Sequence, residues 1–445
     1  MPSESQFTLL GKRRFLPFFI TQFLGAFNDN VFKNALIILI AFQHMGDDLA
    51  GSRYLVNISA ALFILPFFLF SSTAGQIGDS YEKSTLIRGI KLAEIFIMFL
   101  AVIGFLLESI SLLMAVLFLM GTQSSLFGPV KYGYLPQHLD GAELTGGNGL
   151  VEMGTFMAIL SGMMLGSALM TVEGGEYVVS VVVLVVAFAG YMGARNIPLT
   201  PAVEPGLRVN WNVFVQTWVT VRMVTRNRTV FFSVLGISWF WFIGSTYMVQ
   251  LPNYTREMLN GDESVYILLV TVFCIGISIG SLLCEKLSGH RVEIGLVPLG
   301  AAGISLFGVD LYFSAPGTVE TSAGPLMIGQ FLQLEGGLRC LVDMALIGIF
   351  GGFYIVPLFA VVQQRTQKGI LSRVVAGNNI LNAFFMVLSA VFGIVLLGKL
   401  GYTEDEVFFI IAVLNIMVTG AVFLLVPEFI QRFRARLGSL TSRLL

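Results

Sequence analysis

At 445 residues the chain is long enough for two or three soluble domains, but 56% of it is hydrophobic and only 12% charged, against roughly 25% charged in soluble domains. So few charges cannot cover a soluble surface of that size, and a net charge of -1 leaves no footprint for nucleic acid. The 48 glycines and 39 phenylalanines suit close-packed helices in lipid, and Cys274, Cys284 and Cys340 lack CxxC spacing and read as small buried hydrophobes, so the composition points to an all-α integral membrane protein.

A helix crosses a bilayer with about 20 mostly apolar residues. Twelve such stretches follow one another: 17–43, 53–76, 88–107, 110–130, 147–171, 176–194, 229–252, 264–284, 292–313, 341–364, 373–398 and 406–427. Runs such as 178–189 are apolar on every face, whereas the strands of a membrane barrel alternate apolar and polar positions. The first stretch carries Asn28, Asp29, Asn30 and Lys33 and no small-residue cleavage site follows it, which predicts a retained helix rather than a cleaved signal. Of the 26 Lys and Arg residues, twenty fall in one set of loops and four in the opposite set. The basic set marks the cytoplasmic side. Both termini are then cytoplasmic, as an even number of spans requires.

The longest cytoplasmic connection, 195–228, separates an N-terminal six-helix half (1–194) from a C-terminal half (229–427), and a basic tail follows at 428–445. Pro198, Pro201 and Pro205 open the connection. Beyond them Trp211, Phe214, Val215, Trp218 and Val221 share one helical face, with Arg208, Arg222 and Arg226 expected elsewhere. Two readings stand: a helix lying in the membrane interface, or a linker helix packed on the bundle. The loop 314–339 is placed outside and carries no recognisable motif.

A charge inside lipid costs at least ~2.5 kcal/mol, so those that remain are functional candidates. Asp29 and Lys33 lie one turn apart on span one, with Asn30 and Asn34 beside them. Lys91 and Glu94 are three apart on span three, Lys131 follows span four, Asn148 and Glu152 share a face of span five, Asp343 stands near Arg339 at span ten, and span eleven offers Asn378, Asn379 and Asn382. Each has a plainer alternative. Asp29–Lys33 and Lys91–Glu94 could be self-neutralising pairs that let a helix insert, Asp343–Arg339 an interfacial pair, Lys131–Glu152 a bridge across the loop between spans four and five, and the asparagines interhelical hydrogen bonds. Taken as one site, Asp29, Asn30, Lys33, Lys131, Asn148, Glu152 and Asn378 would suit a zwitterionic or phosphate-bearing ligand, carboxylates meeting an ammonium and lysines a phosphate. No catalytic residue, metal or cofactor is expected. His44, His138 and His290 lack metal-ligand spacing, and Glu82 stands where a phosphate loop starting at Gly78 needs its second glycine.

The two halves echo each other. Gly128-Pro129 at the end of span four precedes Asn148 by 19 residues from the proline, and Pro357 in span ten precedes Asn378 by 21. Gly75-x-Ile77-x-Asp79-x-x-x-Lys83 after span two has a counterpart in Gly280 to Lys286 after span eight. Gly154, Ala158, Gly162 and Gly166 form a small-residue stripe on span five, as Gly276 and Gly280 do on span eight, and both read as packing seams. A six-plus-six repeat with a long central loop resembles the build of major facilitator transporters. The Gly75–Lys83 stretch resembles that superfamily's signature loop, with Ser80 in place of its usual arginine. Span five lacks the Gly-Pro pair that the superfamily's proton-coupled drug antiporters carry there.

Ala26-Phe27-Asn28-Asp29-Asn30, Lys131-Tyr132-Gly133-Tyr134-Leu135, Asn148-Gly149-Leu150-Val151-Glu152, Val356-Pro357-Leu358 and Ala376-Gly377-Asn378 resemble the lysophospholipid transporter branch of the superfamily. That resemblance implies movement of lysophospholipids, chiefly lysophosphatidylethanolamine, from the outer to the cytoplasmic leaflet of a bacterial inner membrane. It also implies a lysophospholipid acyltransferase as partner, although the tail at 428–445 holds no such domain. Asp29, Lys131 and Glu152 would line the polar cavity, Gly75, Asp79 and Lys83 would form the conformational motif, and a monomer is expected. The chain departs from the family's pattern in span seven, which has no arginine between Thr229 and Asn253; Tyr247 and Gln250 are its nearest polar groups. Two alternatives remain: a transporter of soluble solutes or drugs, proton-coupled through Asp29 or Glu152, and a scaffold that presents lipid without moving it.

Overall fold

The computed structural model describes residues 5–43, 49–314 and 324–444. Among them every regular element is helical, and twelve helices are long and apolar enough to cross a membrane. In chain order the helices are α1 (Leu16–Gln43), α2 (Leu49–Ser80), α3 (Lys83–Leu106), α4 (Ile110–His138), α5 (Leu144–Met170), α6 (Gly175–Arg195), α7 (Val213–Val224), α8 (Arg228–Asn253), α9 (Glu263–Ser288), α10 (Leu296–Ser314), a single turn α11 (Ile328–Phe331), α12 (Gly337–Arg365), α13 (Leu371–Gly393), α14 (Glu404–Leu425) and α15 (Glu428–Leu444). All but α7, α11 and α15 are the twelve spans. The expected outer loop falls partly outside the described residues, as does His44.

Several helices outrun their apolar stretches. Apolarity marks what lipid covers, whereas a helix ends where its backbone finds a cap. Asn227 caps α8 by accepting from the Val230 N–H, Asp262 caps α9 through Ser264 and Val265, and Thr403 with Glu406 forms a capping box at α14. The α4 helix carries on through Pro129 and Pro136 to His138. Lys131 therefore sits inside a helix, not after it as the apolar run suggested. Its end is held from the N-terminal segment: the Tyr134 hydroxyl donates to the Arg14 carbonyl at 2.6 Å, and the Arg14 guanidinium donates to the His138 carbonyl.

The chain forms two compact units. One comprises 1–140, 157–226 and 366–383, the other 141–156, 227–365 and 384–445. Within the first, α1 packs on α6 and α4, α2 on α4, and α3 on α4 and α6. Within the second, α8 packs on α14 and α12, α9 on α12, and α10 on α12 and α14. Numbering the spans within each half, these are the same five pairs, so the repeat suspected from sequence exists as packing.

Phe32, Met98, Phe105, Leu117 and Val183 lie in the apolar core of the first unit. Its α5 seam is a close backbone approach: a Cβ at Gly162 would stand 2.6 Å from the Phe27 carbonyl oxygen, and one at Gly166 would strike Val31. Ala158 is fully buried and Gly154 buried on the same stripe. In the second unit Gly276 faces Gly348, 3.2 Å from its Cα to a Cβ built on Gly276, and Gly280 faces Ile349.

The linker helix α7 packs on the bundle, the second of the two readings, and leaves its aromatic face uncovered. Gln216, Thr220, Met223 and Val224 are buried against the bundle, and α7 packs on α2. Trp211, Phe214, Val215 and Trp218 face outward. The arginines are not set apart as expected: Arg222 follows Trp218 by one turn on α7, and Arg226, just past the helix end, lines the same cleft with them.

Candidate functional site

The first unit holds a polar cluster inside its span bundle. Glu94 on α3 accepts from Lys91 Nζ at 2.5 Å, from Asn28 Nδ2 at 3.1 Å and from Gln123 Nε2 at 3.0 Å. Lys91 and Asn28 are wholly buried and Glu94 nearly so. Gly25 makes room for this: any Cβ there would collide with the Lys91 ammonium. A charge pair with amide donors on the remaining lone pairs is what a low-dielectric interior tolerates.

Asp29, half-buried beside that cluster, accepts from the Ser124 hydroxyl at 2.7 Å, and Ser124 also donates toward Gln123 Oε1 at 3.2 Å. The spacing suggested Lys33 as Asp29's partner. Instead Lys33 Nζ lies over the Phe63 ring, 5.7 Å from its centroid, because α4 offers a hydroxyl nearer than the ammonium one turn away. Asn30 and Asn34 donate back to carbonyls on their own helix. Lys131, largely buried on α4, stands 5.0 Å over the Tyr132 ring. Gly128 accommodates the Asn379 amide, 2.5 Å from where its Cβ would be. Asn378 is buried, and neither of its amide atoms has a hydrogen-bond partner among the described residues.

The second unit holds Asn148 and Glu152, both buried. The Asn148 amide is closed by Gln363, giving at 2.7 Å and receiving at 3.1 Å. Tyr247 and Gln250 are buried in this unit's helix packing, with Tyr247 stacked on Phe408 at 4.5 Å. Arg339 does not pair with its chain neighbour Asp343: Asp310 of α10 accepts from two of its guanidinium nitrogens, Nε and Nη2.

The signature stretch builds a clamp in the first unit. Asp79 accepts from the Ser372 N–H at 3.0 Å, the Arg373 N–H at 3.3 Å and Arg373 Nε at 3.0 Å, capping the start of α13. Arg373 also pairs with Glu204 of the linker, and the Asp79 carbonyl accepts from Val203 and Glu204 N–H. Close approach needs the glycines: a Cβ at Gly75 would stand 2.8 Å from the Arg373 Cα, and Cβ atoms at Gly78 and Gly133 would press on the Ser372 side chain. Lys83 is buried with no hydrogen bond on its ammonium among the described residues, its charge offset by Asp79 and Glu82. Glu82 caps α3 and accepts from the Thr200 N–H at 2.6 Å. Partial burial opposes its charge, but hydrogen bonds from Thr85, Thr200 and Ser84 outweigh that and push the carboxyl down to about 2. The residue that excluded a phosphate loop thus ties the linker to α3.

Sequence reasoning set Lys91 and Glu94 apart from the site and did not connect Asn28, Gln123 or Ser124 to them. The available signal was polar residues inside three apolar stretches. Their convergence depends on how α1, α3 and α4 pack.

A sequence model of the Major Facilitator Superfamily matches residues 18–337. The chain is similar to the lysophospholipid transporter LplT of Escherichia fergusonii, 28% identical over 362 residues that cover 79% of this chain and 80% of that one. It is similar to LplT of Cronobacter sakazakii, 27% identical over 374 residues covering 83% and 84%. Among solved structures, the human organic anion transporter MFSD10 (TETRAN) has a TM-score of 0.73 at 12% identity, covering 93% of this chain and 99% of that one. A bacterial homologue of the iron transporter ferroportin in an outward-facing state has a TM-score of 0.63 at 15% identity, covering 93% and 99%. At those identities the likeness is one of fold. With twelve spans, a five-pair packing pattern repeated in both units and a family match over most of its length, this multi-pass membrane protein belongs to the Major Facilitator Superfamily.

Proposed function

We propose that the chain transports lysophospholipids, taking lysophosphatidylethanolamine-type lipids from the outer to the cytoplasmic leaflet of a bacterial inner membrane. Asp29 carries the reading: a carboxylate at membrane depth bonded to a hydroxyl, with no ion-pair partner among the described residues, in a chain similar over four-fifths of its length to proteins named for lysophospholipid transport. Lys33 and Lys91 act on this carboxylate from a distance but neither pairs with it, which leaves room for an ammonium headgroup at contact. Lys131 is the group for the phosphate. Asn30, Lys33 and Asn378 supply the remaining polar lining in the first unit, and Asn148 and Glu152 are the second unit's own polar groups. The halves 1–194 and 229–427, joined by 195–228, alternate access around that lining while the Gly75–Asp79–Lys83 motif sets the conformational balance. Both termini, including the tail at 428–445, are cytoplasmic, the protein acts as a monomer, and a cytoplasmic lysophospholipid acyltransferase consumes what is delivered.

Uptake of lysophosphatidylethanolamine and lysophosphatidylglycerol by proteoliposomes holding wild type, Asp29→Asn or Lys131→Ala tests this. Asparagine keeps an acceptor for Ser124, so insertion is undisturbed. Asp29→Asn lowers ethanolamine-lipid uptake about tenfold, as loss of a charge-assisted contact should, and spares the glycerol lipid. Lys131→Ala lowers both. Equal loss of the two lipids in Asp29→Asn removes the ammonium role, and normal uptake in Lys131→Ala removes that residue from the site. Wild-type uptake of a water-soluble solute with no lysolipid uptake would replace the reading by the soluble-substrate one.

A further inference from the structure

The α7 helix wears its amphipathicity inside out. Its buried face is Gln216, Thr220, Met223 and Val224, while Phe214 is 84% and Trp211 and Trp218 are each 72% exposed. Three aromatic rings turned outward are unfavourable in water and favourable at the level of lipid headgroups. The stripe ends in a cleft of about 450 Å³ lined by Trp218, Val219, Arg222, Met223, Thr225 and Arg226. Arg222 and Arg226 are exposed. The only carboxylate of 195–228, Glu204, is taken by Arg373, while Arg195, Arg208 and Arg228 add positive charge. An aromatic wall beside two guanidinium groups has an apolar part for acyl chain and glycerol and a cationic part for phosphate.

We propose that this cleft is a binding site for an anionic diacyl phospholipid of the surrounding leaflet, separate from the transport site. The occupant follows from charge complementarity and depth together: Arg222 and Arg226 select a net negative headgroup, and Trp211, Phe214 and Trp218 require that it arrive embedded in a bilayer surface. A zwitterionic lipid offers the phosphate but cancels it with its own cation. Each guanidinium near an anionic surface contributes about fivefold in affinity, so the pair gives roughly 25-fold. The site bears on the clamp. Gln76 of α2 exchanges hydrogen bonds with Asn210 at 3.2 and 2.8 Å, Thr217 donates to Ser72 at 3.3 Å, and Gly377 of α13 abuts Thr220 and Val224. Lipid that fixes α7 therefore fixes the ends of α2 and α13 between which Asp79 bonds.

The test is tryptophan quenching in the full-length protein, in non-ionic detergent micelles titrated with bromine-labelled phosphatidylglycerol or phosphatidylcholine. Two of the four tryptophans are the exposed Trp211 and Trp218 and Trp239 is buried, so in a background carrying Trp241→Phe, which removes the half-buried ring of α8, short-range quenching reports α7 and the residues leading into it. That background reaches half-quenching at a mole fraction of phosphatidylglycerol at least about tenfold below that of phosphatidylcholine. Arg222→Gln/Arg226→Gln brings the two curves together, and Arg222→Lys/Arg226→Lys keeps most of the gap. Superimposed curves in that background, or a gap that survives the glutamine variant, overturn the proposal. Competition by free glycerol phosphate at the same concentrations overturns the membrane source. Neither lysolipid nor transport enters the measurement, so its outcome is independent of the transport reading.

Discussion

Glu94→Ala should lower stability by about 3–5 kcal/mol, because it leaves the Lys91 ammonium buried without its partner and strips the acceptor from Asn28 and Gln123. In a chain of 445 residues that corresponds to a fall in apparent Tm of about 3–5 °C, and lysolipid uptake at matched expression should fall with it. Lys91→Met/Glu94→Leu separates structure from function. Apolar replacement of a whole buried pair is often near neutral, so this variant should recover most of the lost stability. If the cluster also sets the polarity around Asp29, uptake stays low in the recovered protein. Full recovery of uptake would leave the cluster as a structural tie, and an unshifted Tm in Glu94→Ala would contradict the bonding described here.

Asp79→Ala is the second large effect. The side chain caps α13 with three N–H contacts, neutralises Arg373, which is only slightly exposed, and offsets the buried Lys83 charge. Without it the start of α13 keeps its contacts to α2 through Gly75 but loses its cap and its buried counter-charge, about 3–5 kcal/mol of local stability. Hydrogen exchange at the Ser372 and Arg373 amides should then accelerate on the order of 100-fold or more, since exchange reads local opening free energy. Amides 384–393 on the same helix should change little. Unchanged exchange at 372 and 373 would show that the clamp is not held by Asp79.

The fold was legible because lipid imposes one rule on every span. Twelve apolar stretches are visible without any knowledge of packing, and the paired glycine motifs show which spans repeat. The helix ends were not, because Lys131–His138 is polar yet continues α4, anchored by Arg14, more than a hundred residues away in the chain. Within the site, Asp29 and Lys33 share a face by periodicity, and periodicity cannot see that Ser124 arrives from another helix. Spacing shows Lys91 and Glu94 only as a local pair for the same reason; Asn28 and Gln123 reach Glu94 through the packing of α1, α3 and α4. The Arg339 pairing went to Asp310 because a neighbouring helix, rather than the next turn, supplied the bidentate geometry. Short-range spacing identifies which groups must be satisfied, and tertiary packing decides by whom.

Leaflet-resolved uptake in spheroplasts tests the central claim most directly. Radiolabelled lysophosphatidylethanolamine is added outside, and albumin then extracts whatever remains in the outer leaflet. With the protein present, label should pass into a pool that albumin cannot reach, at a rate that scales with expression and falls in Asp29→Asn. Label that stays fully extractable at every expression level would contradict lysophospholipid transport by this chain.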